Sequence, residues 1–196
     1  MSGSIGKVAT RFFEFHNPRK PLPLRVGGKL SRFTLAYEMY GRMNADKSNV
    51  ILLFHAMTGS QHAAGLNREV PGVNGRWTEE LHEGWWDAFI GPGRALDTRK
   101  FCVICANYLG GCYGSTGPAS INPQTGKPWG PTFPVLRIID IVESQLRLLD
   151  ALGVKKLHAV VGGSIGGYLS LLLATRYPKR VKIVVPIGTS ATTTII

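Results

Sequence analysis

No aspartate or glutamate occurs between Ala151 and Ile196, and no histidine follows His158. No apolar stretch reaches about 18 residues without a charge or a breaker, which excludes a membrane-spanning helix. The segment from Met1 to Lys20 lacks the apolar block of a secretory signal. Cysteine is scarce as well: Cys102, Cys105 and Cys112 are an odd set, which excludes a closed disulfide framework and fits reduced thiols. A soluble, cytoplasmic protein is therefore expected, with no membrane partner.

What is present is the composition of a globular chain. The 196 residues are 44% hydrophobic and 18% charged, enough apolar mass for a real core and about the length of one domain. The formal charge of +11 is unevenly placed. Met1 to Arg32 holds seven basic residues and one acid, Phe33 to Asp150 is nearly neutral, and Ala151 to Ile196 holds six basic residues and no acid. Neither basic end interleaves its charges with aromatics or sets them along one helix face, so no nucleic-acid partner is expected. The pair Cys102 and Cys105 lies in the apolar run Phe101 to Ala106, where an odd spacing sends the two thiols to opposite faces of a strand. Packing rather than metal binding follows from that, and no metal site is expected.

From Ser31 onward short apolar runs alternate with helical stretches, the pattern of βαβ units and a mostly parallel sheet. Strands are expected at Phe33 to Tyr40 (half-exposed, from its period of two), Asn49 to His55, Phe101 to Ala106, Leu157 to Val161 and Val181 to Ile187. Residues 1–30 read as an N-terminal arm of a single domain spanning 1–196. A short helix is expected near Glu79 to Glu83. A helix opened by Pro134 carries Ile138, Ile141, Val142, Leu146, Leu149 and Leu152 on one face and stops at Gly153. A second helix runs from Ile165 to Tyr177, ended by Pro178. The segment Leu109 to Phe133, with six glycines and four prolines, reads as a long functional loop.

The strongest local signal is Gly162-Gly163-Ser164-Ile165-Gly166, a G-x-S-x-G between an expected strand and an expected helix. Such a turn reverses so sharply that only small residues fit two before and two after the serine, and it holds the hydroxyl proud of the sheet. Ser164 is thus a candidate nucleophile. The Ile165 amide, at a helix N-terminus, lacks an intrahelical partner and is a candidate oxyanion donor. A second donor is expected from the loop His55-Ala56-Met57-Thr58-Gly59, with Met57 the candidate. His55 at the strand end is read as a structural hydrogen-bonding residue, because in this arrangement a general base follows the nucleophile in sequence. His16, His62, His82 and His158 read as surface or satisfied core residues.

Four runs together resemble the homoserine O-acetyltransferase family of α/β-hydrolases: His55 to Gly59, Gly91 to Thr98 (GPGRALDT), Asn107 to Pro118 (NYLGGCYGSTGP) and Gly162 to Gly167 (GGSIGG). The loop motif is the specific one, and the likeness runs from about Phe33 to Ala191. The resemblance implies an α/β-hydrolase fold and a two-step acyl transfer. Ser164 would take an acetyl group from acetyl-CoA, a co-substrate rather than a bound cofactor, and pass it to the hydroxyl of L-homoserine for methionine synthesis. It also implies a homodimer for the full-length family member. Where the family commonly reads Met-Gly-Gly-Met-Gln after the serine, this chain has Ile165-Gly166-Gly167-Tyr168-Leu169, which keeps the backbone role.

The opening absence now has chemical weight. In this fold the acid and then the histidine follow the serine, yet Ile165 to Ile196 contains no Asp, Glu or His. The expectation is an N-terminal portion of such a domain, its sheet stopping after about the sixth strand, without triad acid, base or lid, and inactive by itself. Two alternatives stand beside the transferase: a serine esterase of the same fold, and a catalytically dead chain that acts only as an interaction partner.

Overall fold

The computed structural model describes residues 4–191. Six strands form one sheet: β1 (Arg11–His16), β2 (Arg32–Tyr40), β3 (Val50–Phe54), β4 (Cys102–Ala106), β5 (Leu157–Gly163) and β6 (Val181–Ile187). Their order across the sheet is β1-β2-β4-β3-β5-β6. The pairs β4–β3, β3–β5 and β5–β6 are parallel, whereas β2 runs antiparallel to both its neighbours. This is the α/β-hydrolase fold with its mostly parallel sheet.

β3 and β4 are buried along their whole length, as their unbroken apolar runs dictate for strands covered on both faces. Two helices cover one face. In α1 (Ile138–Ala151), Val142, Leu146 and Leu149 point into a cluster that also holds Leu52, Ile104, Val160 and, from α2 (Ile165–Arg176), Leu169 and Leu173. The other face packs Ile51, Leu53, Val103 and Val161 beneath Trp85 and Trp86 of the long connection before β4. Cys102 belongs to the first cluster and Cys105 to the second, the opposite placement that their spacing demands. Burial pushes the Cys102 thiol up to about 11 and the Cys105 thiol well above its ordinary value.

Four expectations are corrected. Residues 1–30 contain β1, which pairs with β2 from Arg11 opposite Tyr37 to His16 opposite Arg32, with Phe15 stacked on Phe33 at 4.7 Å. β2 is consequently an interior strand rather than a half-exposed one: Phe33, Leu35, Ala36, Glu38 and Tyr40 are all buried. The helix expected from Pro134 starts only at Ile138, because the Asp140 carboxylate accepts the Arg137 N–H at 2.7 Å and so fixes the first turn there. Its end behaves as read: Gly153 takes φ +73°, with Val154 N–H bonded to Leu149 O and Gly153 N–H to Asp150 O. Near Glu79 only a single 3-10 turn forms, Glu79–Leu81.

β6 is an edge strand. Val181 is buried and Val184 packs against the cluster beneath α2, while Ile183, Val185 and Ile187, spaced two apart, are exposed in a row. No helix among the described residues is long and apolar enough to cross a membrane.

Candidate active site

Parallel strands β3, β4 and β5 all end on the same edge of the sheet, and the loops leaving them converge there. At the end of β5, Ser164 adopts φ 55°, ψ −122°, a backbone conformation that L-residues rarely take. The strain is enforced sterically. A Cβ on Gly162 would lie 2.2 Å from Gly166 O, and a Cβ on Gly166 would lie 2.4 Å from Phe54 O and 2.8 Å from His55 O. Both flanking positions therefore require glycine. The Ser164 N–H is tied to Ile187 O at 2.9 Å, and its carbonyl receives the Gly167 and Tyr168 N–H groups, so the elbow is held by main-chain bonds on both sides.

Ser164 is exposed and stands at the N-terminus of α2, where the amides of the first turn have no carbonyls of their own helix to meet. Ile165 is the first of these residues. The close approach of Gly166 to the Phe54 and His55 carbonyls lays the end of β3 against this helix terminus. The turn His55–Gly59, closed by a Gly59 N–H to Ala56 O bond of 3.0 Å, is thereby brought beside the elbow. The structure thus gathers Ser164, Ile165 and the Met57 turn on one edge of the sheet. Met57 is 75% exposed, so its side chain packs on nothing that would orient it, and only its main chain is positioned by the turn.

His55 is 2% exposed. Its Nδ1 lies 2.7 Å from Ala56 O, which fixes the proton on Nδ1. Its Nε2 is buried and unpartnered among the described residues, and the ring stacks on Tyr108 at 3.7 Å. Burial, opposed by the Ala56 carbonyl and Asn107, lowers its pKa to about 4, so the ring is neutral at pH 7. The ring is enclosed between the Ala56 carbonyl and Tyr108, and no His, Asp or Glu among the described residues hydrogen-bonds the Ser164 hydroxyl.

Two side chains that support the site are not among the candidates the sequence offers. Tyr108, inside the specific loop motif, donates its hydroxyl to His55 O and clamps the end of β3 from the neighbouring strand. Glu38 lies on β2 with its carboxylate fully buried and accepts four bonds: Thr10 Oγ1 at 2.8 Å, Asn67 Nδ2 at 2.8 Å, Tyr40 OH at 2.7 Å and His62 Nδ1 at 2.8 Å. His62 Nε2 faces His82 O at 3.0 Å, so both ring nitrogens have an oxygen within hydrogen-bond distance. The buried contact between His62 and Glu38 pins the chain three residues past Gly59 and so holds the oxyanion-side turn from behind. The one available signal was a lone carboxylate in an otherwise apolar strand.

Comparison with known proteins places these features in a family. Residues 49–195 match the family model described as alpha/beta hydrolase fold. A homoserine O-acetyltransferase of Moorella thermoacetica is 48% identical over 190 residues, covering 97% of this chain and 48% of the relative. A homoserine O-succinyltransferase of Azoarcus sp. is 49% identical over 178 residues, covering 91% and 44%. Among solved structures, esterase E22 superposes with a TM-score of 0.76 at 39% identity, covering 89% of this chain and 46% of that one. The chain spans about half the length of the curated relatives it matches.

Proposed function

From its membership of the α/β-hydrolase family, to which the chain belongs, we propose that its site serves acyl transfer, with Ser164 as nucleophile and homoserine as acceptor. The observation that carries this reading is the positive-φ serine between two obligatory glycines at a helix N-terminus. A hydroxyl so placed can attack a thioester carbonyl, and the tetrahedral oxyanion would be met by the amides of Ile165 and Met57. The acyl-enzyme then reacts with the side-chain hydroxyl of homoserine rather than with water. Acetyl-CoA is the proposed donor, and the names of the relatives, one a homoserine O-acetyltransferase and one a homoserine O-succinyltransferase, support transfer of an acyl group to homoserine without choosing between acyl groups.

Residues 165–196 supply no carboxylate and no imidazole to activate the serine. Without them a serine hydroxyl at neutral pH is a poor nucleophile, and loss of a triad member costs roughly 10⁴-fold or more in rate. These 196 residues by themselves should therefore turn over at a trace rate, whereas a chain that adds an acid and a histidine after them should be competent.

A second reading, a serine esterase, is favoured by the structural likeness to esterase E22. Incubation of the competent chain with acetyl-CoA and L-homoserine separates the two. O-acetylhomoserine, formed with CoA release and abolished in Ser164→Ala, is the expected product. Free acetate alone, at a rate indifferent to homoserine, would establish the esterase instead.

A further inference from the structure

Acyl transfer makes no use of the six basic residues that Ala151 to Ile196 carries without an acid. Three of them, Lys155, Lys156 and Lys182, line one cavity of about 330 Å³ together with Lys47. The sheet explains the gathering. Lys155 and Lys156 precede β5, Lys182 is the second residue of β6 and Lys47 precedes β3, and these three strands are parallel neighbours. The cavity therefore lies at their N-terminal ends. Ser164 follows the C-terminal end of β5, a seven-residue strand away, or roughly 20 Å. We propose that this cavity is a binding site for a small polyphosphate anion, separate from the catalytic edge.

Charge selects the ligand. Four ammonium groups and one carboxylate, Asp46, line the cavity, a local charge of +3. The Asp46 carboxylate is engaged by the Ser48 N–H at 3.1 Å, and none of the four lysines forms an ion pair among the described residues. Arg180, from the same acid-free stretch, is by contrast paired with Asp150 at 2.8 Å. Like charges left uncancelled around one concavity repel one another, and a multivalent anion relieves all of them at once. A single carboxylate does not match that charge. A short chain of phosphates does, and it presents oxygens on every side to ammonium donors that act as point charges on flexible stems.

The floor of the cavity is prebuilt. Lys47 is half-buried, takes φ 58° and donates its ammonium to Leu152 O at 2.7 Å. It thereby covers a carbonyl at the C-terminal end of α1, whose partial negative charge would otherwise face an incoming anion. Gly153 makes room for it, since a Cβ there would collide with Lys47 Nζ. Lys155, Lys156 and Lys182 are exposed and free to close on a ligand. The rest of the lining is Ala45, Ser48 and Gly153. With no aromatic side chain the cavity offers a base no stacking platform, so it reads phosphates rather than any nucleoside attached to them. With no large apolar side chain it offers a membrane no foothold.

The probe is sodium tripolyphosphate without added divalent cation, and calorimetry on the chain reads its binding. One saturable site is expected, weakened by about ten-fold or more in Lys155→Gln/Lys156→Gln/Lys182→Gln. The charge-matched control Arg19→Gln/Lys20→Gln/Lys29→Gln, substituted at exposed positions elsewhere, should bind as the parent does. ATP separates a nucleotide from an inorganic ligand and should bind within a few-fold of tripolyphosphate, because the phosphates alone are read. The lysine variant keeps Lys47 and with it the end of α1, so its ligand-free Tm should match or exceed that of the parent. Tripolyphosphate should raise the Tm of the parent and of the control but not that of the lysine variant. Absence of binding by the parent, an equal loss of affinity in both variants, or binding of ATP without binding of tripolyphosphate would each overturn the site.

Discussion

The elbow around Ser164 and the turn around Met57 face the same space, yet they are built on opposite principles. The elbow is local. Residues 162–167 define it by what they lack, because Cβ atoms at Gly162 and Gly166 would collide with main chain, and its hydrogen bonds are main chain to main chain. The turn is held from outside itself. Tyr108 from the next strand's loop clamps its first carbonyl, and the Glu38–His62 pair, reaching from β2, anchors the chain that leaves it. A motif of six residues can specify the first kind of structure; the second requires side chains from 24 to 53 positions away in sequence. Each of the following perturbations strikes one of the two and should leave the other standing.

The largest effect is expected at the remote anchor. Glu38→Ala removes the carboxylate partner of buried His62 and the shared acceptor of Thr10, Tyr40 and Asn67, leaving Tyr40 only Gln61 O and Asn67 only Thr10 Oγ1 to donate to. Breaking a buried pair on one side costs about 3–5 kcal/mol, so the denaturant midpoint should drop sharply. Because the elbow is built independently, the Ser164 segment should keep its slow amide exchange relative to global unfolding while residues 56–63 lose theirs. Uniform loss of protection across both would show that the two regions are one cooperative unit.

Acidification should act next, again through the turn. His55 has a folded pKa of about 4, lowered from 6.5 by burial, so the unfolded chain takes up the proton first as the pH falls. The stability owed to neutral His55 is thus complete above about pH 6.5 and is lost between there and pH 4. From pH 7 to pH 4.5 the loss is on the order of 2–3 kcal/mol. The Asp97 carboxyl, held far below its ordinary range by Arg99 and the Gly93 N–H, loses its contribution only below about pH 4, outside this window. Urea titrations of the parent and of His55→Gln at the two pH values measure the difference. An equal loss in both would remove His55 as its source.

Gly166→Ala addresses the elbow directly. The added Cβ meets the Phe54 and His55 carbonyls, neither of which can retreat without unzipping β3 from β5. Overpacking against main chain costs about 1–3 kcal/mol. Gly163→Ala is the internal control, since nothing lies within 4 Å of its Cβ position. If both substitutions cost the same, the steric account of the elbow is wrong.

The same division explains what the sequence reveals. Strands β3 to β6, both helices and the Ser164 elbow follow from short-range pattern: apolar runs, a C′ glycine, two obligatory small residues. β1 does not, because Arg11–His16, with Phe12 and Phe13 adjacent, has no clean period of two and becomes a strand only by pairing with β2. The burial of β2 escapes for a related reason. Its period of two is real, but Glu38 marks a second buried face whose cover comes from the N-terminal residues and the Trp-rich connection, not from its own neighbours. The start of α1 follows Asp140 rather than Pro134, a carboxylate cap that outweighs a permissive proline. Of the site, the residues with main-chain roles were legible and the residues that hold them were not.

The smallest effect isolates that last distinction at Met57. Its side chain is 75% exposed and its proposed work is done by the amide alone. Met57→Ala should change stability by less than about 0.5 kcal/mol, as exposed substitutions away from special features do. It should also leave kcat for acyl transfer in the competent chain unaltered, whereas removal of an oxyanion donor costs roughly 10²–10³-fold. A kcat loss of that size in Met57→Ala would mean that the thioether itself shapes the site, and the turn would then share with the elbow a dependence on the identity of its own residues.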